Sequence, residues 1–173
     1  RADLPFHYAL ADAFTNCDGY FCSVLGPTYP NRLYHWTATI DPDGKNGGPA
    51  TNNAAYGGNI TYTWETYPER LEKAGVSWQF VFDTDDYALN VMRYFPVYKN
   101  AAKNSPMHQK ALTGRPFATF LDQLRAGDLP QVTGMFAQAE QCEHPAYMPI
   151  AGADYIRQTL EALWSNPALW ART

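Results

Sequence analysis

Thr28 places a hydroxyl at a sharp turn, within the run Cys22-Ser-Val-Leu-Gly-Pro-Thr28-Tyr-Pro-Asn-Arg32. Gly26-Pro27 breaks the preceding segment, and Pro30 suits the first turn of a helix, where a missing N–H costs little. A hydroxyl just before a helix start meets unpaired N–H groups and the positive end of the helix dipole, a combination that suits phosphate. The same position also suits plain capping, with the Thr28 oxygen accepting a backbone N–H. As a nucleophile, Thr28 would need an adjacent base, a metal that favours the alkoxide, or the helix-terminus dipole.

His144, in Glu143-His144-Pro145, is the second candidate. Imidazole can donate or accept a proton near neutrality, and a histidine beside a proline also fits an ordinary surface turn. His7 has helical spacing and reads as a packed or capping residue. His35 follows Thr28 by about two helical turns and shares its face only approximately. His108 lies in a polar connector, open to solvent. Asp41, Asp43 and Asn46 form an oxygen-rich loop without the alternating spacing of a calcium hand, so turn formation is the plainer role. Asp83, Asp85 and Asp86 read as dipole and cap chemistry at a helix start. Trp36, Tyr62, Trp64 and Tyr67 could cage a quaternary ammonium group or simply pack a core.

These residues need elements to hold them. Residues 18–25 are short and rich in aromatic and β-branched types, which predicts a strand ahead of Thr28. Helical spacing predicts helices over 4–14, 31–39, 67–74, 87–95, 117–126 and 153–163. Gly75 would terminate the third of these. Strands are predicted over 76–82 and 131–137, the second ending a few residues before His144. Residues 41–58 are rich in Gly, Asn, Asp and Pro and predict a long loop, functional or mobile. Residues 99–116 predict a linker or an irregular helix pair. Helices alternating with short apolar strands indicate an α/β sheet covered on both faces. In open sheets of that kind the loops at strand carboxyl ends line the ligand crevice, which suits both Thr28 and His144.

Composition narrows the function classes. One domain is the natural prior for 173 residues, and 46% hydrophobic residues with five tryptophans predict a folded globule. A net charge of −4 without a basic run gives no pull toward nucleic acid or anionic membrane. No stretch predicts a transmembrane segment. The three cysteines, Cys17, Cys22 and Cys142, are too few for a disulfide scaffold. Cys17 and Cys22 could bridge if the chain bends between them, or remain buried free thiols.

Thr28-Tyr-Pro-Asn31 resembles the Thr-Phe-Pro-Asn segment around the nucleophile of nucleotide phosphodiesterases in the alkaline-phosphatase superfamily. A longer run, Leu4-Pro-Phe-His-Tyr-Ala-Leu-Ala-Asp-Ala-Phe-Thr-Asn-Cys-Asp18 continuing through Cys22-Ser-Val to Pro-Asn-Arg-Leu33, resembles the bacterial phosphoesterases that include phospholipases C and related acid phosphatases. Further matching blocks follow in order. They are Asp41-Pro-Asp-Gly-Lys-Asn-Gly-Gly-Pro49, Thr66-Tyr-Pro-Glu-Arg-Leu71, Leu129-Pro-Gln-Val132, Glu143-His-Pro145 and Ser165-Asn-Pro167 with Trp170.

The resemblance implies an alkaline-phosphatase-like three-layer α/β sandwich with a mainly parallel sheet. It implies Thr28 as nucleophile and ligand of a divalent metal ion, a phospho-enzyme intermediate, and His144 assisting the leaving group. Backbone N–H groups after Thr28 would receive the developing charge. The family's acidic metal motifs do not occur in this sequence. The expectation is therefore a single partial phosphoesterase domain over 1–173, incomplete at both ends and inactive alone, with the metal site completed from outside this chain. Phospholipase C-type hydrolysis of phosphatidylcholine-like lipids by a secreted or periplasmic protein is the leading expectation. Acid phosphatase action on monoesters is the nearest rival. A non-catalytic, aromatic-rich headgroup-binding module is the rival from another class.

Overall fold

A computed structural model describes residues 2–54, 59–84 and 86–173. Eight α-helices appear in the described residues: α1 (Pro5–Ala13), α2 (Thr28–Thr37), α3 (Tyr67–Lys73), α4 (Pro96–Lys99), α5 (Pro106–Leu112), α6 (Phe117–Ala126), α7 (Pro149–Trp164) and α8 (Pro167–Trp170). Two strands, β1 (Trp78–Val81) and β2 (Val132–Met135), pair in parallel with Trp78 opposite Val132 and Val81 opposite Met135. The chain is a mixed helix and strand protein around this small parallel sheet. The sheet has two strands among the described residues, and a three-layer sandwich is not built from them.

Strand alternation sorts the core onto two faces. Trp78 and Phe80 belong to a cluster with Leu33, Phe95, Tyr98 and Phe136, while Val81 packs with Phe120, Leu121, Leu124 and Leu163 of α6 and α7. Both faces are thus covered, as the sequence pattern requires. On the first face, Trp36 of α2 meets Phe80 with ring centroids 4.7 Å apart. Gly134 of β2 permits this approach, because a Cβ there would lie 2.7 Å from both rings. Tyr29, Leu33 and Trp36 recur at helical spacing and anchor α2 on the sheet. That anchoring fixes where α2 begins, and therefore where Thr28 stands.

Several local expectations are corrected. Residues 18–25 form turns and bends. Tyr20 and Phe21 are each 81% exposed and Leu25 is fully exposed, and a strand persists only where its backbone groups find a neighbouring strand. Within 87–95 the regular structure is one 3₁₀ turn, Val91–Tyr94, with Tyr87 and Ala88 at positive φ. Residues 99–116 contain a proper helix, α5, and half-buried His108 lies on it with a buried Nδ1. Cys17 and Cys22 are free and exposed rather than bridged or buried. Trp36, Tyr62 and Trp64 pack into the core cluster, Tyr62 and Trp64 against Phe95, and Tyr67 stands apart at 45% exposure, so the four do not form a cage.

The described part of the long loop is organised by buried Asp41. Its carboxylate accepts N–H groups from Lys45 (3.2 Å), Asn46 (2.7 Å) and Gly48 (2.9 Å), so its role is turn formation. Burial alone would raise its pKa, but the bonds from Asn46, Gly48 and Lys45 outweigh that and hold the carboxyl below its usual range. A depressed folded-state value means the stabilisation is complete above the unfolded value of about 3.9 and is lost as pH falls through the folded one. Hydrogen exchange of the Asn46 and Gly48 amides should therefore stay slow down to about pH 4 and accelerate only below it. Loss of protection at near-neutral pH would contradict this role.

Candidate functional site

Thr28 is the first residue of α2, and Pro27 occupies the cap position without a capping side chain. Thr28 is exposed and caps nothing, so the plain capping alternative does not hold. The turn that presents it is fastened by Asn31. The Asn31 Nδ2 group donates to the carbonyls of Val24, Gly26 and Pro27, each at 3.1 Å, and its Oδ1 accepts the Val24 N–H at 3.1 Å. One side chain thus ties together four backbone groups, its two amide hydrogens shared among three carbonyls, in a segment with no strand ladder. Asn31→Ala should lower stability by about 1 kcal/mol, chiefly through the part-buried bonds to Val24, since water reaches the Gly26 and Pro27 carbonyls. Asn31→Asp, which turns donors into acceptors facing three carbonyls, should do no better. Equilibrium unfolding in urea checks this, and an unchanged midpoint for both variants would mean the turn is held by other contacts.

The expected charge-receiving donors after Thr28 need revision. Pro30 has no N–H, and the Tyr29 N–H already donates to Asn53 Oδ1 at 3.0 Å. The long loop therefore reaches the start of α2, and an anion at this turn would share or displace the Asn53 contact.

Arg32 lies one helical turn after Thr28, on the same side of α2. Its Nε is buried and has no hydrogen-bond partner among the described residues. Burial lowers the pKa of its guanidinium, opposed by nearby Tyr29, Asp86 and Cys142. A buried donor without a partner carries a desolvation cost of about 1–3 kcal/mol, more for a charged group, unless a ligand meets it.

Beyond α2, which contributes nothing to its lining, a cavity of about 680 Å³ is lined by residues that include Thr84, Asp86, Tyr87, Asn90, Arg93 and Tyr147. Asp86, 5% exposed, accepts the Ala88 N–H at 2.9 Å and forms an ion pair with Arg93. It thus serves a turn and an ion pair rather than a helix start. Asn90 accepts the Met92 N–H (3.1 Å) and donates to the Ala111 carbonyl (2.7 Å). These bonds hold Tyr87 (φ 49°) and Ala88 (φ 55°) in the left-handed region, which costs about 1–3 kcal/mol per residue and persists only where surroundings over-determine it.

His144 is exposed, and its ring faces Tyr87 with centroids 5.4 Å apart; Tyr147 meets Tyr87 edge-on at 5.9 Å. The Tyr147 N–H donates to the His144 carbonyl at 2.7 Å, closing the loop. The two sides are joined by Tyr29, next to Thr28, whose hydroxyl donates to the Ala88 carbonyl at 2.9 Å. The residue after Thr28 and the ring of His144 thus both contact the same strained turn, Tyr29 at Ala88 and His144 at Tyr87.

The other histidines fall elsewhere. His35 is exposed with its ring against Trp36 at 4.8 Å, and His7 pairs with Glu143. Asp83 accepts the Thr84 N–H beside it, and Asp85 lies outside the described residues. Sequence reasoning missed Arg32, Asn53, Asp86, Tyr87, Asn90, Arg93 and Tyr147 as site residues. A signal existed for Arg32, an arginine four residues after the candidate hydroxyl, while the rest converge only through tertiary contacts.

Among the described residues no three His, Cys, Asp or Glu side chains group as metal ligands. These residues do not by themselves fit a metal ion, and Thr28 offers one oxygen. No described helix is long and apolar enough to cross a membrane.

The Phosphoesterase family model matches residues 1–173. The whole chain is 40% identical to part of a non-hemolytic phospholipase C of Burkholderia pseudomallei, covering 28% of that protein. It is 42% identical, over 99% of its length, to part of a non-hemolytic phospholipase C of Pseudomonas aeruginosa, covering 25% of it. Phospholipase C B of Mycobacterium tuberculosis is 42% identical over the whole chain, which covers 34% of that protein. The chain spans about a quarter to a third of the length of these curated relatives.

Proposed function

The chain belongs to the Phosphoesterase family, and on that premise we propose that it carries the nucleophile and the proton-transfer group of a phospholipase C-type hydrolase. The Thr28 hydroxyl gives its proton to solvent and its oxygen attacks phosphorus as the bond to the glycerol oxygen breaks, and His144 supplies the proton that the glycerol oxygen needs on leaving. The headgroup phosphate is then held on Thr28 as an ester. His144, now neutral, takes a proton from water as the water oxygen attacks phosphorus, releasing the phosphorylated headgroup, and the departing Thr28 oxygen takes a proton back from solvent to restore the hydroxyl. Arg32 offers positive charge beside the phosphoryl oxygens, where fixed donors aimed at developing charge contribute most.

The observation that carries this reading is the exposed, uncapped Thr28 hydroxyl, one helical turn from the buried, unpartnered Arg32 Nε. Tyr29 ties that helix start to the turn whose Tyr87 ring faces His144. The cavity, with Tyr87 and Tyr147 on its wall, is where the reading seats the headgroup of phosphatidylcholine-like lipids. Residues 1–173 are read as one partial phospholipase C-like domain of a secreted or periplasmic protein. A divalent metal ion, when bound, would favour the alkoxide form of Thr28, with its remaining ligands drawn from outside this chain.

The test is hydrolysis by the full-length protein, supplied with divalent metal, of phosphatidylcholine and of a simple phosphomonoester. Release of phosphocholine and diacylglycerol is the expected result. Cleavage of the monoester alone would favour an acid phosphatase, and cleavage of neither would favour a headgroup-binding module.

A further inference from the structure

Away from the phosphate-facing residues, His7 of α1 reaches across to the loop that bears His144. Its Nε2 lies 3.0 Å from Glu143 Oε1, with the two side chains 31% and 35% exposed. The other ring nitrogen, Nδ1, is buried and has no partner among the described residues, so the ring's polar contact is directed at Glu143. Donation from Nε2 places the His7 proton there and leaves Nδ1 as an acceptor.

Glu143 itself has φ 59°, a conformation that costs a residue with a Cβ about 1–3 kcal/mol and survives only where neighbours impose it. Its consequence is directional. The short 3₁₀ helix Ala139–Gln141 ends, the backbone takes the left-handed conformation at Glu143, and the next residue, His144, faces Tyr87. A second contact holds the Glu143 side chain from behind. A Cβ on buried Gly152, in the first turns of α7, would lie 2.2 Å from Glu143 Cγ, 2.6 Å from Oε1 and 2.7 Å from Cδ. Glycine inside a helix is about 1 kcal/mol less favourable than alanine. Here it leaves the slot that the Glu143 stem occupies.

We propose that Glu143 is a positioning residue: gripped between the His7 imidazole and the Gly152 slot, it holds the left-handed backbone at residue 143 that aims His144 at the reacting phosphate. This rests on the proton-transfer role assigned to His144 above. Nothing in the proposal requires Glu143 to touch substrate.

Four variants of the full-length protein test it: Glu143→Ala, Glu143→Gln, Gly152→Ala, and the double variant Glu143→Ala with Gly152→Ala. Glu143→Ala should lower kcat on the order of 100-fold, the scale of a small misplacement of a reacting group, while KM stays within about twofold. Glu143→Gln keeps the acceptor for His7 and the shape of the stem, and should retain most of kcat. Gly152→Ala expels the Glu143 stem and should reproduce the Glu143→Ala loss. The double variant should be no worse than either single one, because both remove one shared contact. Histidine-selective NMR provides a readout independent of turnover. The His144 ring signals, shifted by the Tyr87 ring, should move in Glu143→Ala and in Gly152→Ala and stay in place in Glu143→Gln. Wild-type kcat in Glu143→Ala, additive losses in the double variant, or a Gln variant as impaired as the Ala variant would each overturn the proposal. If the unmodified protein hydrolyses no phosphoester, the proposed function fails, and the NMR arm still decides whether Glu143 aims His144.

Discussion

Replacing Thr28 by alanine in the full-length protein is expected to lower phosphoester turnover by several orders of magnitude. Covalent catalysis then has no nucleophile, and no other described hydroxyl occupies the start of α2. The same substitution should leave stability within about 0.5 kcal/mol of the parent, because Thr28 is exposed and caps nothing. The contrast is informative. A capping threonine would show the reverse, a stability loss of about 1 kcal/mol with turnover intact. Thr28→Ser, which keeps the oxygen, should retain measurable turnover. Steady-state rates and thermal unfolding on the same preparations check both halves, and near-normal rates in Thr28→Ala would remove the nucleophile assignment.

The second large effect is expected at His144. A positioned proton donor or acceptor contributes about 10²–10⁴-fold, so His144→Ala should reduce lipid hydrolysis by that order. The size of the loss should depend on the leaving group. A glycerol alkoxide needs a proton to depart, whereas nitrophenolate departs without one. The first-turnover burst of nitrophenol from a nitrophenyl phosphodiester should therefore slow much less than the first-turnover release of diacylglycerol. The second step still needs a base to take a proton from water, so the variant should accumulate the Thr28 ester. Equal losses with both leaving groups would point to a positional rather than a proton-transfer role.

How far the sequence carried depends on whether each feature is local. The α6 helix was legible because Phe117, Phe120, Leu121 and Leu124 recur on one face and Gly127 stops it, at φ 73°. The two strands were legible because short apolar runs follow helix terminators, and β1 is buried along its whole length. The Asp41 loop announced itself by composition. Residues 18–25 misled because aromatic and β-branched content marks strand propensity, while a strand also requires a partner that propensity cannot supply. The 87–95 segment carries helical spacing, yet Asp86 and Asn90 capture the backbone N–H groups of Ala88 and Met92 and bend it into a turn.

The candidate site divides the same way. Thr28 and His144 stood out through their sequence surroundings. Asn53 acquires its role from a contact between segments far apart in the chain, and so does the His7–Glu143 pair. Such contacts leave no periodicity in a single sequence.

The central claim is a covalent ester on the Thr28 oxygen, and trapping it is the most direct measurement. Full-length His144→Ala protein, mixed in the presence of divalent metal with nitrophenyl phosphocholine, whose leaving group departs without a proton, and quenched in acid, would be digested and its peptides sequenced by mass spectrometry. The account predicts one added phosphocholine group on the peptide containing Gly26 to Arg32, located at Thr28 by fragmentation. Sustained nitrophenol release with this peptide unmodified at every quench time, or with the added group on another residue, would contradict it.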